Sequence, residues 1–248
     1  MIFKDIADYA LSRSSDLKID EVRIGLGYTG VKLSDGSAGI SYTFRDRLSP
    51  TCSVLGKAGS LESIEVDEMI RYFLSQDVLE ATLGLATINA ILNKPDISGF
   101  SGDILDLLEI KPNDKVGMIG FFGPLIPDLK KKCKDLYVFD ESRSSSGIIL
   151  PPDKLPEILP TCSVVIITAT SLINKTFHRI IELCRDARER CILGPSTPLC
   201  PEIFKKYGVT CIAGVKVIDP ERVLKIISQG GGTRNFKDSV EKVVIPLE

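Results

Sequence analysis

The chain has 248 residues, of which 44% are hydrophobic and 26% charged, so it can bury one or two cores of ordinary globular size. Its 31 basic and 33 acidic residues are interspersed and give a net charge of −2, which excludes the positive field that nucleic-acid binding requires. No apolar stretch is long enough to span a membrane, and the first residues lack the pattern of a secretion signal. We therefore expect a cytoplasmic protein with neither a nucleic-acid nor a membrane partner.

Seven cysteines and one histidine limit the metal and redox chemistry. The cysteines are odd in number, widely spaced and mostly set among apolar neighbours, which is typical of reduced core residues rather than of a disulfide framework. No C-x-x-C pair occurs, and the one histidine, His178, is expected on a helix surface. The sequence therefore predicts no metal ligands, and it leaves the cofactor unknown.

The first part of the chain predicts a small α+β domain. After an amphipathic helix, three short β-prone runs indicate an antiparallel meander. Two helical patterns follow, over Ile64–Leu74 and Val78–Leu92. The segment Asn93–Gly102 is rich in Pro, Gly and Ser and indicates a linker, so we place the domains at 1–98 and 99–248.

The second part of the chain alternates continuous apolar runs with helical patterns. Runs that are apolar on both faces are typical of parallel strands covered by helices on both sides. The predicted strands are Val116–Phe121, Leu136–Phe139, Ser163–Thr168, Cys191–Leu193 and Val209–Ala213. The predicted helices are Ile126–Cys133, Pro152–Ile158, Lys175–Ala187, Pro201–Tyr207 and Pro220–Ser228. Five β-α repeats predict a doubly wound, Rossmann-like parallel sheet.

The segment Gly25–Gly30, GLGYTG, matches the dinucleotide fingerprint G-x-G-x-x-G. That fingerprint binds pyrophosphate only where the third glycine opens a helix. Here Gly30 leads into VKLSDGSAGISYTF, which has the pattern of strands and a hairpin. The sequence therefore predicts a glycine-rich β-turn and no nucleotide site in this segment.

Polar residues at the carboxyl ends of the predicted strands are the candidate ligand contacts, because parallel sheets bind ligands outside those ends. In chain order the candidates are Phe122, Gly123, Asp140, Glu141, Thr168, Thr170, Ser171, Asn174, Gly194, Pro195, Ser196 and Thr197. From the first domain, Tyr28, Thr29 and Asn89 are expected to reach across to the ligand. Each of these has an alternative structural reading, as a helix cap, a solvated acid or a turn residue. The segment Gly230–Arg234 is either a lid or a helix cap.

These segments together resemble the family described as "putative heavy-metal chelation". The resemblance is carried by GYTGVK, TLGLATINAIL, KVGMIGFFGPLIPDL, TATSLINKTF and GPSTPLCPEIF, and it covers nearly the whole chain. It implies an enolase N-terminal-like domain packed on a Rossmann-like domain with partial likeness to methyltransferases, and a ligand cleft between the two. It also implies a role in heavy-metal chelation, through making or breaking a pterin-, flavin- or siderophore-like chelator.

The sequence thus predicts a protein that handles a small molecule held between its two domains, and it leaves open whether a reaction is catalysed. Asp140 and Glu141 are expected to hold polar edges of this ligand, and the strand-end hydroxyls to donate hydrogen bonds to it. Two alternatives remain: a metal-chelate binding module without turnover, and a Rossmann enzyme that uses a nucleotide or a methyl donor. A homodimer is also left open.

Overall fold

The computed structural model describes residues 1–100, 102, 104–141 and 148–247. Its first domain combines one three-stranded antiparallel sheet, in the order β1-β2-β3, with three helices. The elements are α1 (Ile2–Leu11), β1 (Ile19–Ile24), β2 (Tyr28–Leu33), β3 (Ala38–Tyr42), α2 (Val66–Tyr72) and α3 (Val78–Leu92). The predicted meander is confirmed, and no helix begins at Gly30, which lies inside β2.

Helix α3 forms the centre of the first domain. Asp77 caps it, because its carboxylate accepts hydrogen bonds from the backbone N–H groups of Leu79 and Glu80 at 2.8 and 3.0 Å. The helix is apolar on nearly all sides and buried from Ala81 to Leu92, as expected of a helix enclosed by protein. It packs against β2 and β3 on one side and against α2 on another.

The second domain is built on a seven-stranded sheet with helices between the strands. Its strands are β4 (Lys115–Ile119), β5 (Asp135–Phe139), β6 (Ile149–Leu150), β7 (Val164–Thr168), β8 (Glu189–Leu193), β9 (Cys211–Val217) and β10 (Val240–Pro246). Its helices are α4 (Ile126–Lys132), α5 (Leu155–Ile158), α6 (Thr170–Ile173), α7 (Phe177–Leu183), α8 (Pro201–Lys206), α9 (Pro220–Ser228) and α10 (Thr233–Phe236).

The strand order is β10-β9-β8-β7-β4-β5-β6. All neighbours pair in parallel except β10, which is antiparallel to β9. Numbered within this domain, the six parallel strands follow the order 3-2-1-4-5-6 of the doubly wound Rossmann sheet. The order reverses between β4 and β7, which makes the crevice above this pair the expected ligand position in such sheets.

The two faces of the large sheet bury different apolar clusters, because successive strand residues point to opposite faces. One face contributes Val116, Met118 and Ile166 to a cluster that is covered by α4 and by the segment 104–108. The other face contributes to a larger cluster that includes residues of α6, α7 and α8 and also of α1, α2 and α3. The two domains therefore share one continuous apolar core.

The structure differs from the sequence prediction most clearly at five elements of the second domain. The edge strands β6 and β10 were not predicted, α6 precedes the shorter α7, and β9 begins two residues later than expected and extends to Val217. Strand β10 lies at an edge and exposes Lys242, so its pattern lacks the continuous apolar run of the inner strands. Within the described ranges, no helix combines the length and apolarity needed to cross a membrane.

Candidate functional site

The connections that follow β4 and β7 leave toward opposite faces of the sheet and open a crevice between them. Gly120 ends β4 with φ +89°, a left-handed conformation that favours glycine. A Cβ at this position would lie 2.8 Å from Thr168 Cβ at the end of β7. Gly120 therefore lets the two strand ends approach each other closely at the floor of the crevice.

Polar groups surround this floor. The backbone N–H of Phe121 donates to Asp140 Oδ2 at 2.9 Å, which holds the half-buried carboxylate at the end of β5. The hydroxyls of Thr168 and Thr170 lie 2.9 Å apart and share a hydrogen bond. Both threonines are half-buried, so a ligand could still reach these hydroxyls. Such a floor offers a charged acceptor beside two groups that can donate or accept.

Four aromatic side chains form a row at the boundary between the domains. Phe236, Tyr28, Tyr42 and Phe44 follow one another with centroid separations of 5.3, 5.9 and 5.1 Å, each pair edge to face. Arg47 extends this aromatic row, with its guanidinium 5.0 Å from the Phe44 ring centroid. Burial raises the pKa of the Tyr28 hydroxyl above its ordinary value, so this phenol stays neutral at physiological pH.

The aromatic row is attached to the large sheet at two points. Within the row, the backbone N–H of Tyr42 donates to Ser196 Oγ at 2.9 Å, in the loop after β8. Beyond Phe44, Arg47 forms an ion pair with Glu141, which follows β5. Strands β7 and β4 lie between β8 and β5 in the sheet. The part of the row from Tyr42 to Arg47, which belongs to the first domain, therefore spans the crevice above these two strand ends.

Two of the residues expected to reach across from the first domain lie elsewhere. Thr29 is fully buried and its hydroxyl bonds to that of Thr43 at 2.9 Å. Asn89 is also buried, and its Nδ2 donates to the Ile40 carbonyl at 2.8 Å. Alternation along β2 directs Thr29 toward α3, while the adjacent Tyr28 faces the second domain. Of these three residues only Tyr28 lies in the aromatic row.

Several candidates at the strand ends already have intramolecular hydrogen bonds. Ser196 and Thr197 are buried, and Thr197 Oγ1 donates to the Ala213 carbonyl at 2.9 Å. The Ser171 hydroxyl donates to the Thr168 carbonyl at 2.6 Å, and Asn174 Oδ1 accepts from both the hydroxyl and the backbone N–H of Thr176. Their side chains stabilise the loops and the domain contact. Half-buried positions at the crevice edge are Phe122, Gly123, Gly194 and Pro195.

The segment Gly230–Arg234 connects two helices. Gly230 ends α9 with φ +76°, and Gly232 caps the start of α10. A Cβ on Gly232 would lie 3.6 Å from the Tyr28 ring. The segment therefore lies against Tyr28 of the aromatic row. Its role as a helix cap agrees with one of the two interpretations that the sequence offers.

Sequence reasoning missed Tyr42, Phe44 and Arg47, and the run SYTF contained a signal for two of them. Tyr42 and Phe44 are two residues apart in an extended run, a spacing that places them on the same face. Their position over the second domain could not be predicted, because it depends on how the meander docks.

Lys175 occupies the turn between α6 and α7, within the TATSLINKTF segment, and contacts the first domain. Its ammonium donates to the Phe73 carbonyl and lies 4.3 Å from the centroid of the Phe73 ring and 5.0 Å from that of Phe3. Burial lowers the pKa of Lys175 to about 8. This side chain bridges the domains at a distance from the aromatic row.

The lowered pKa of Lys175 predicts a pH dependence of stability. Between pH 8 and the ordinary lysine value near ~10.4, the unfolded chain binds more protons than the folded one, so this group makes stability rise with pH. Because the side chain is only partly buried, we expect a rise of about 1 kcal/mol relative to the Lys175→Met variant. Urea unfolding of both proteins at several pH values measures this difference. Parallel pH profiles would contradict the expectation.

Within the part of the chain that the structure describes, potential metal ligands are not clustered, and two surface cavities lie away from the crevice. Among the described residues, no three His, Cys, Asp or Glu side chains come together as a metal site. One surface cavity of about 230 Å³ lies at the amino-terminal edge of the large sheet, and a charged groove of about 740 Å³ lies between β1 and α9. We assign the candidate site to the crevice because the convergent polar and aromatic groups are there.

Fold and crevice define a two-domain α/β protein with a Rossmann-type sheet. Two family models match it, DUF364 over residues 103–246 and DUF4213 over residues 7–92, and both carry the description "Putative heavy-metal chelation". The first match alone covers more than half of the chain. The protein belongs to this family, as the sequence resemblance indicated.

Relatives of similar length match nearly the whole chain. An uncharacterized protein of Methanocaldococcus jannaschii is 27% identical over 266 residues, covering 100% of this chain and 99% of the relative. The crystal structure of a DUF364-family protein of unknown function from Pyrococcus horikoshii has 27% identity and a TM-score of 0.87, covering 99% of this chain and 100% of that chain. A second such structure, from Desulfitobacterium hafniense, has 26% identity and a TM-score of 0.82, with 99% and 98% covered.

Proposed function

We propose that this protein binds a small planar heteroaromatic or chelating compound in the crevice between its domains. The observation that carries the proposal is the part of the aromatic row from Tyr42 to Arg47, which extends from the first domain over the strand ends of the second. Aromatic faces offer stacking surfaces to planar rings, and the strand ends offer polar groups to the edge of such a ring.

Each side of the crevice has a role in this proposal. Tyr42 and Phe44 would contact the face of the ligand, and Arg47 would add a cation at one end of it. Asp140 would accept hydrogen bonds from the ligand edge, and the Thr168 and Thr170 hydroxyls would donate or accept beside it. Thr29 and Asn89 are left out of the contact set because their side chains are buried against α3.

A thermal-shift screen tests the proposal with the purified full chain. Candidate compounds are pterins, flavins, nucleotides, methyl donors and metal chelates, each compared with buffer alone. Stabilisation of the folded protein measures binding, because a ligand that binds only the folded state raises the unfolding temperature. If no class of compound stabilises the protein, the small-molecule proposal is contradicted.

The Asp140→Asn variant locates the site within this screen. It keeps the shape of the side chain and an acceptor for the Phe121 N–H, but removes the charge. A ligand that donates hydrogen bonds to this carboxylate should bind about 1.5–3 kcal/mol more weakly, which is roughly a 10- to 150-fold higher Kd.

The matched control is Asp135→Asn, at the opposite end of the same strand. It removes an equal charge from the amino-terminal end of β5, away from the crevice, and should leave the Kd unchanged. Equal affinity of the wild type and the Asp140→Asn variant for a stabilising compound would place the ligand elsewhere.

A further inference from the structure

Two cysteines that are separated in sequence lie side by side in the large sheet. The parallel pairing of β8 and β9 sets Cys191 directly opposite Cys211. Both side chains belong to the apolar cluster on one face of the sheet, and both are buried. Paired residues on neighbouring strands project to the same face of a sheet, so the two side chains are neighbours on this face. Cys191 is the middle residue of β8 and Cys211 the first residue of β9, so the pair lies within the sheet and not at the strand ends that form the crevice.

Both thiols lie among apolar side chains. Burial raises the pKa of Cys191, and the neighbouring Cys211 thiol raises it further. An anionic thiolate left alone among apolar side chains would carry a large desolvation cost. A divalent cation that displaces both thiol protons gives a complex with no net charge, which avoids this cost.

A surface cavity leads from solvent to one member of the pair, Cys211. Cys211 lines the surface cavity of about 230 Å³, together with Leu107, Leu108 and Glu189. The Glu189 carboxylate accepts a hydrogen bond from Thr210 at 2.7 Å and adds negative charge at this cavity. Arg188, also at the cavity, forms an ion pair with Asp114 at 2.7 Å, which offsets its positive charge. A cation is therefore not repelled from the entrance.

We propose that Cys191 and Cys211 form a two-thiol site for a soft divalent cation that accepts two ligands in a line, of which Hg²⁺ is the probe. Two S–H bonds lose their protons to solvent and two S–Hg bonds form, with no change of oxidation state. Soft thiolate ligands select soft metals, and binding releases protons. Zinc would need about four ligands, so two thiols do not hold it tightly.

Metal retention against a competing monothiol tests this site. The full-length protein is reduced, freed of reductant under argon, and given one equivalent of HgCl₂ with excess glutathione. After desalting, native mass spectrometry measures the bound metal. Because the two thiols are held together, the wild type should retain mercury on the order of a hundredfold better than a protein with one of them. The bound species should have the mass of one mercury less two protons, and Zn²⁺ should not be retained.

Two variants and one control distinguish the pair from the other cysteines. Cys191→Ala and Cys211→Ser should both lose mercury retention, so either one suffices if the other fails to fold. Cys200→Ala should retain it, because Cys200 is equally buried but lies in another cluster, away from the pair. Circular dichroism checks the fold of each variant. Loss of mercury from the wild type, or equal retention by wild type and folded Cys211→Ser, would overturn the proposal.

Discussion

Replacement of Asn93 by alanine is expected to lower the free energy of unfolding by about 3–5 kcal/mol, a large part of the stability of a typical domain. Asn93 is 4% exposed and follows α3 at the boundary between the domains. Its Nδ2 donates to the carbonyls of Thr197 at 2.9 Å and Val215 at 3.1 Å, and its Oδ1 accepts from the Leu199 N–H at 2.8 Å. Alanine would leave all three buried backbone groups without these partners.

Urea unfolding of the wild type and the Asn93→Ala variant measures this effect. Asn174→Ala is the matched control, because the Asn174 amide is half-buried and its Oδ1 bonds only locally, to Thr176. We expect a loss of about 1 kcal/mol there. Similar losses in the two variants would show that the Asn93 hydrogen bonds across the domain boundary contribute no more than local ones.

In the Asn93→Asp variant, the contribution of this contact to the free energy of unfolding should depend on pH. A carboxylate would place a second oxygen against two carbonyl oxygens, so its pKa in the folded state should be raised above the unfolded value. A raised carboxyl pKa means that the folded state binds more protons, and stability falls as pH rises through it. The variant should therefore recover part of its stability in acid relative to the wild type, which urea unfolding at several pH values measures.

Replacement of Gly39 by alanine should cost about 3 kcal/mol or more, because β3 and α3 are in backbone contact there. A Cβ on Gly39 would lie 2.1 Å from the Ala90 nitrogen and 2.3 Å from the Ala86 oxygen. Backbone atoms of a buried helix cannot move aside alone, so α3 would have to shift away from the sheet. That shift would also break the bond between Asn89 Nδ2 and the Ile40 carbonyl.

Gly56→Ala is the matched control for Gly39→Ala. Nothing lies within 4 Å of a Cβ at Gly56, so the change should be near neutral or slightly stabilising. Urea midpoints of the two variants and the wild type provide the comparison. A Gly39→Ala protein that unfolds at the wild-type urea concentration would show that this close contact does not limit stability.

The sequence by itself determined the order of helices and strands in most of the chain. Alternation of apolar runs with helical patterns is a local property, and it predicted Val78–Leu92 and Pro220–Ser228 with the bounds that the structure has. Because no helical period follows Gly30, the sequence likewise predicts a strand there, and Gly30 lies inside β2. Such local patterns can be recognised in a sequence because backbone conformation depends on residues that are near neighbours in the chain.

Only the tertiary structure decided which of these residues meet. Ser196 and Thr197 have a hydroxyl pattern that fits a ligand loop, yet the docked meander and β9 bind both side chains. The sequence predicts a linker that begins at Asn93, whereas the Asn93 amide joins the domains. Cys191 and Cys211 are adjacent because β8 pairs with β9. Strand order and domain docking bring together residues far apart in sequence, and no local pattern records such contacts.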